Sequence, residues 1–240
     1  MTEKSSLEQR FRAIEENAKR LEGMLSDAVI RAGRNRADVR VMAVTKTVEP
    51  ALVNYALQTG FDLIGENKVQ ELLSKLDYLH PQDVEKHIIG HLQSNKVRKI
   101  IDVVQMIQSV DSVSLAQEIS RQAQLHQKEM SVLLEVNIGN EASKTGFQAA
   151  QLPEAAACIS EMPGIKIRGL MCIPPVCETE KAARGYFSQT RSLFETLRSA
   201  QGTRDMDTLS MGMSADYVSA VLEGATLIRI GGALFGARQY

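Results

Sequence analysis

From residue 5 to residue 32, apolar side chains recur at intervals of three and four: Leu7, Phe11, Ile14, Ala18, Leu21, Leu25 and Val29. That spacing gives one long amphipathic helix, and Gly33 just past it supplies a stop. Beyond this point the pattern shortens and repeats. Apolar segments fall at 40–45, 61–65, 87–92, 103–109, 131–138, 166–173, 207–211 and 226–231. Several are apolar almost throughout, as parallel strands covered on both faces are. Helical spacing lies between most of them, over 50–58, 66–77, 112–128, 149–160, 179–199 and 215–223, with a shorter and weaker piece at 94–101. Turn residues such as Gly60, Pro163-Gly164 and Gly224 punctuate the joins. An open doubly wound sheet would hold fewer strands. Eight strand segments alternating with helices predict an α/β fold, a single (β/α)₈ TIM-type barrel with a leading N-terminal helix.

Composition agrees with that expectation. The chain has 240 residues, 44% of them hydrophobic, which suits one such barrel. No linker or low-complexity tract divides it, so residues 1–240 are expected to form one domain. The formal net charge is −1, and no global field favours nucleic acid or a membrane surface. Arg31, Arg34, Arg36 and Arg40 form the one basic stretch, read as a solvated helix end and loop. Cys158, Cys172 and Cys177 are odd in number and show no zinc spacing, so reduced thiols and no metal are expected. The N-terminus lacks the apolar core of a signal peptide and no apolar run has the length of a membrane span. A cytoplasmic protein follows. It is expected to be a monomer, because no strong exposed apolar patch can be assigned.

In barrels of this class the working residues project from the C-terminal ends of the strands. In order, those ends carry Lys46, Glu66 and Asn67, His91, Asp111, Asn137, Met171, Ser210, then Arg229 and Gly231. This common placement suggests one shared site. Lys46 leaves the first strand directly, where a desolvated amine can attack an aldehyde; a surface lysine closing a strand is the plain alternative. Gly231 and Gly232 follow the eighth strand, and Ser214 opens the helix after the seventh. Phosphate sites recur there in such barrels, on backbone N–H groups that small residues leave accessible, although Ser214 could equally cap its helix. Arg229, two residues before Gly231, is directed into the barrel. Left unpaired it would cost roughly several kcal/mol, so it needs an acceptor. A pyridine nitrogen near the phosphate cup would serve, as would Glu135 or Glu223. Lys144-Thr145-Gly146 echoes one β-lactamase box without its companions. His80 and His126 read as exposed, and His87 and His91, at the two ends of one strand, do not make a metal site.

A resemblance now applies. Ala-Val-Thr-Lys (43–46), Gly-Glu-Asn-Lys-Val-Gln-Glu (65–71), Ile-Gly-His-Leu-Gln-Ser-Asn-Lys (89–96), Leu-Glu-Val-Asn-Ile (134–138), Arg-Gly-Leu-Met (168–171), Leu-Ser-Met-Gly-Met-Ser-Ala-Asp (209–216) and Arg-Ile-Gly-Gly-Ala-Leu-Phe-Gly-Ala-Arg (229–238) together resemble the pyridoxal phosphate homeostasis proteins, single-domain relatives of the alanine racemase barrel. The resemblance implies that Lys46 holds pyridoxal 5′-phosphate as a covalent Schiff base. It places Ser214, Gly231 and Gly232 at the phosphate, Arg229 at the pyridine nitrogen, and Asn67 and Ser210 along the pocket, with Met211 and His91 nearby. One departure is Gly232, where the family pattern has Ser or Thr; a hydroxyl to the phosphate is missing here.

Carriage is expected rather than catalysis, so no catalytic residue is assigned. An arginine at the ring nitrogen does not readily give it a proton, which leaves the ring a poor electron sink; alanine racemases share that arginine. A racemase also needs an acid–base group on each face. The second is a tyrosine from an additional domain, and this sequence is not expected to supply one: Tyr55, Tyr78, Tyr186 and Tyr217 fall in helical patterns and Tyr240 is terminal. The expected function is to bind, buffer and deliver pyridoxal 5′-phosphate, with cofactor-dependent apoenzymes as candidate recipients and indirect effects on amino-acid and keto-acid pools. The rivals are a slow cofactor-dependent racemase or lyase, a cofactor-free Schiff-base aldolase acting on sugar phosphates, and a protein-interaction module.

Overall fold

A computed structural model describes residues 3–141, 143–200 and 202–236 of the chain. Helix α1 (Glu3–Arg31) leads, and its apolar stripe of Ile14, Leu21, Leu25 and Val29 is buried. Eight parallel strands follow: β1 (Arg40–Val44), β2 (Leu63–Glu66), β3 (Glu85–Ile88), β4 (Met106–Val110), β5 (Met130–Val136), β6 (Ile165–Cys172), β7 (Thr208–Met213) and β8 (Leu227–Ile230). They close in sequence order into one barrel. Around it lie α2 (Pro50–Gln58), α3 (Val69–Lys75), α4 (Val113–Leu125), α5 (Leu152–Ser160), α6 (Glu180–Arg198), α7 (Tyr217–Leu222) and α8 (Gly232–Phe235).

Closure is made by β1 on β8, with Met42 opposite Arg229 and Ala43 opposite Ile230. Helix α1 covers this seam. It packs on α7 and α8, Asn17 Nδ2 donates to Leu234 O at 3.0 Å, and Phe11 stacks on Tyr55 of α2 with ring centroids 4.1 Å apart. Inside the barrel, Met42, Val44, Leu63, Ile89 and Leu227 form one apolar group and Met106, Leu133 and Met171 another. Polar residues are buried with them, among them His87, Gln108, Ser210 and Arg229.

The expected barrel is therefore present, with local corrections. Strand β3 starts at Glu85, two residues before the expected segment, so His87 lies within it rather than at its start. The charges there mask the strand in sequence, yet Lys86 is buried and its ammonium donates to Gln82 O at 2.9 Å. The expected helix over 66–77 resolves into α3 and a 3₁₀ turn, Leu76–Tyr78, and 94–101 forms a 3₁₀ segment, Ser94–Lys99. Helix α7 begins at Tyr217 after Asp216, so Ser214 does not open it. Ala237, Arg238 and Tyr240 lie outside the described residues. Among the described residues no helix is long and apolar enough to cross a membrane, and no group of three or more His, Cys, Asp or Glu side chains could hold a metal.

One glycine is dictated by the sheet. The β5–β6 register shifts between Val132 and Leu133, passing over Arg168 to Gly169, as at a bulge. Gly169 has φ +154, and a Cβ there would lie 1.7 Å from Thr208 O. Gly169→Ala is expected to destabilise the barrel by about 3 kcal/mol, whereas Gly23→Ala in α1, where a Cβ meets nothing within 4 Å, raises stability by about 0.5–1 kcal/mol. Urea denaturation of the two variants checks the opposite signs.

Candidate functional site

The turn after β1 carries Lys46 and is anchored from below. Thr45 is fully buried, and its hydroxyl donates to Glu66 Oε1 at 2.8 Å. Lys75, also buried, donates from one ammonium to Thr45 O, Glu66 Oε1 and Glu71 Oε1, each at 2.7 Å. The Thr47 amide in turn donates to Glu71 Oε1. Burial holds the Glu66 carboxyl above its ordinary range despite Lys75 and Thr45. For Glu71 burial acts the same way, but the Lys75 ammonium and the Thr47 amide outweigh it and hold that carboxyl low. Thr47 itself has φ +62, a left-handed backbone that a β-branched residue adopts only under constraint. Strain of this kind persists where the surroundings over-determine it, and it falls on the residue next to Lys46.

On the other side of the β1–β8 seam, the chain leaving β8 turns at Gly231 into α8. The amides of Gly231 and Ala233 both donate to Ser214 Oγ, at 3.3 and 3.0 Å. Two backbone N–H groups converging on one oxygen form a small anion cradle. Ser214 thus sits in the turn before α7, bonded across to the β8 loop and the first turn of α8; Asp216 holds the N-cap position of α7 without a side-chain cap bond, its Oδ1 accepting instead from Met213 N at 2.6 Å. A Cβ at Gly232 would meet nothing within 4 Å.

The two halves share one opening. A cleft of about 540 Å³ is lined by Val44, Lys46, Thr47, Val48 and Glu49 on one side and Gly231, Gly232, Phe235 and Gly236 on the other, with Arg10 of α1 at its edge. A larger cleft of about 630 Å³ lies between α1 and the start of β1. Its charged lining includes Arg36 and Glu22, which pair with each other, and it lies at the wrong end of the strand for barrel chemistry.

Beneath the rim, Arg229 is fully enclosed. Its Nη1 donates to Ser210 Oγ and its Nη2 to Cys172 O, both at 2.8 Å. Of the two carboxylates considered as partners, Glu223 is taken by Arg184 at 2.6 Å and Glu135 accepts from Thr145 at 3.2 Å. Burial lowers the Arg229 pKa and raises that of Glu135. Its hydrogen-bond partners Ser210 and Cys172 O are thus neutral acceptors.

The remaining strand-end residues divide. Asn67 follows β2 half-buried, with an enclosed Oδ1 that has no hydrogen-bond partner; it is not among the cleft-lining residues. His91 is exposed and pairs with Asp111 at 2.9 Å. Asn137 bonds within its own loop, to Glu141 O and Lys144 O, and Met171 belongs to the inner apolar group. Met211, expected near the pocket, packs instead in the layer between strands and helices, because alternation along β7 turns it away from the side on which Ser210 faces inward. Sequence reasoning missed Glu71 and Lys75. Their i,i+4 spacing reads as an ordinary helix pair, and only the fold buries the lysine. Gln108 was missed too, although a lone amide inside an apolar strand is a readable signal.

Comparison with known proteins bears on this geometry. Residues 12–239 match the family model for the alanine racemase N-terminal domain. The pyridoxal phosphate homeostasis protein of Aquifex aeolicus (strain VF5) is 39% identical over 216 residues, covering 90% of this chain and 94% of that one. A solved structure of an unknown protein from Bifidobacterium adolescentis superposes with a TM-score of 0.90 at 35% identity, covering 94% of this chain and 96% of the other. PipY of Synechococcus elongatus PCC7942, solved with PLP bound, superposes with a TM-score of 0.81 at 32% identity over 93% of this chain and all of its own.

Lys75→Met removes the cation between two carboxylates and is expected to cost about 3 kcal/mol. The double variant Lys75→Met/Glu66→Gln should recover part of that loss in denaturant titrations.

Proposed function

The chain belongs to the alanine racemase N-terminal domain family and, within it, to the pyridoxal phosphate homeostasis proteins, and on that basis we propose that it holds pyridoxal 5′-phosphate in the Lys46 cleft as a carrier. The observation that supports this most is the shared opening: Lys46 and the Gly231–Gly232 turn, which belongs to the two-amide cradle, line one cleft across the barrel seam. The cofactor supplies an aldehyde that a lysine can take up with loss of one water, together with a visible chromophore.

In this reading Lys46 is the point of attachment. The amides of Gly231 and Ala233, which here meet Ser214 Oγ, would hold the phosphate together with the Ser214 hydroxyl. Gly232 adds backbone but no hydroxyl. Arg229, fixed by Ser210 and Cys172, offers a donor to the ring nitrogen and keeps its own proton, since a guanidinium remains charged throughout the physiological range. That leaves the ring a poorer electron sink for reactions at an amino-acid Cα, as in the alanine racemases that share this arginine.

Carriage rather than turnover is further supported by the tyrosines. Tyr55 donates to Glu15, and none of the described tyrosines lines the Lys46 cleft. A site with one acid–base group on one face can bind and release its cofactor but lacks the second group that racemisation needs. Delivery to cofactor-dependent apoenzymes follows as the use of such a reservoir.

Borohydride reduction of the cofactor-loaded protein should fix the cofactor on Lys46, as read by peptide mass spectrometry, and Lys46→Ala should abolish that adduct; an unchanged adduct would move the site to another lysine. Gly232→Ser places a hydroxyl in open space beside the cradle and is expected to tighten cofactor binding by about tenfold or more, the worth of one added charge-assisted hydrogen bond, measured by equilibrium dialysis.

A further inference from the structure

The polar residues enclosed by the barrel form one continuous chain. Arg229 Nη1 donates to Ser210 Oγ at 2.8 Å, and Ser210 donates to Gln108 Oε1 at 2.7 Å. Gln108 Nε2 meets His87 Nδ1 at 2.8 Å, and His87 Nε2 meets Glu85 Oε1 at 2.8 Å. Glu85 then accepts from Arg40 through both oxygens, at 3.2 and 2.8 Å. Ser210 and Gln108 are fully buried, and His87 and Arg229 very nearly so. The chain runs from beneath the Lys46 cleft to the opposite mouth of the barrel, where Arg40, Glu85 and His87 line a cavity of about 480 Å³.

Hydrogen-bond bookkeeping gives this chain one direction. Glu85 is held ionised, its carboxyl lowered to about 2 by His87 and Arg40, so it accepts only. Burial lowers the His87 pKa, which favours the neutral ring, and a neutral ring facing a carboxylate through Nε2 must carry its proton there. Nδ1 is then an acceptor and takes the Gln108 NH₂. The amide oxygen of Gln108 therefore faces Ser210, which must donate to it, and this leaves a Ser210 lone pair for Arg229. Every donation points from Arg229 down to Glu85. The tautomer of one histidine thus dictates what the guanidinium meets.

We propose that Gln108 and His87, neither of which lines the Lys46 cleft, are positioning residues for the cofactor: through Ser210 they fix the orientation in which Arg229 presents its donors to the bound ring. The proposal rests on the cofactor reading above. It extends the site through the barrel core to residues with no other evident task, since a buried Gln–His pair is costly wherever apolar side chains would pack as well.

Two measurements test it. In the protein without cofactor, ¹⁵N NMR at neutral pH should show His87 as the Nε2–H tautomer; an Nδ1–H ring would overturn the directed chain whatever binds at the rim. In the loaded protein, Gln108→Met keeps the volume but removes both amide ends. It should leave the adduct on Lys46, displace the visible absorption maximum and raise the cofactor dissociation constant about tenfold, the size of one hydrogen bond to a charged group. A merely structural role would lower the melting temperature without moving the band. Should Gln108→Met fail to fold, Ser210→Ala breaks the same chain one link higher and is expected to act in the same direction. A wild-type band and dissociation constant in a folded variant overturns the proposal. Failure of the wild-type protein to load on Lys46 would instead remove the reading beneath it, and the tautomer measurement separates the two failures.

Discussion

Everything at the rim follows from the pairing of the first strand with the last. The β1–β8 ladder sets Met42 beside Arg229 and Ala43 beside Ile230, so the residues that follow each strand must emerge as neighbours. Lys46 comes from one of these exits and Gly231 from the other. Elements almost at opposite ends of the sequence are brought together by hydrogen bonds that no local propensity encodes, and α1 packs over the seam. Were β1 an edge strand, the amine and the cradle would have no common cleft.

A lysine on a free turn would sample many directions. Here the turn is fixed from beneath, by a buried ammonium shared among Thr45, Glu66 and Glu71, and the constraint is strong enough to hold Thr47 in a left-handed backbone. Arg229 is fixed in the same manner, by neutral acceptors. The site is thus built from two cations held in place by unlike means. One has carboxylates packed beneath its turn, and the other meets the neutral acceptors Ser210 and Cys172 O.

Much of this was legible in the sequence. The eight segments and the leading helix specify the barrel because strands covered on both faces are largely apolar, and the strand-end rule selects Lys46, Arg229 and Gly231 as candidates. What was not legible depends on depth. Lys75 and Glu71 look like a surface pair, Lys86 hides the start of β3, and Gln108 and His87 acquire meaning only when β3, β4, β7 and β8 face one another across the core. Ser214 lies against the β8 loop, a contact made across the fold and not by the helix that follows it. Asn137 and Met211 share the strand-end neighbourhood without sharing the site.

The central claim is one of distance: that a single phosphorylated aldehyde spans from the Lys46 amine to the amides after β8. A crystal structure of the protein soaked with pyridoxal 5′-phosphate measures this directly. The account predicts continuous density from Lys46 Nζ into the ring, with the phosphate on the Gly231 and Ala233 amides in place of the Ser214 oxygen and Arg229 against the ring nitrogen. Density that joins another lysine, or a phosphate seated away from the Gly231 turn, would contradict it.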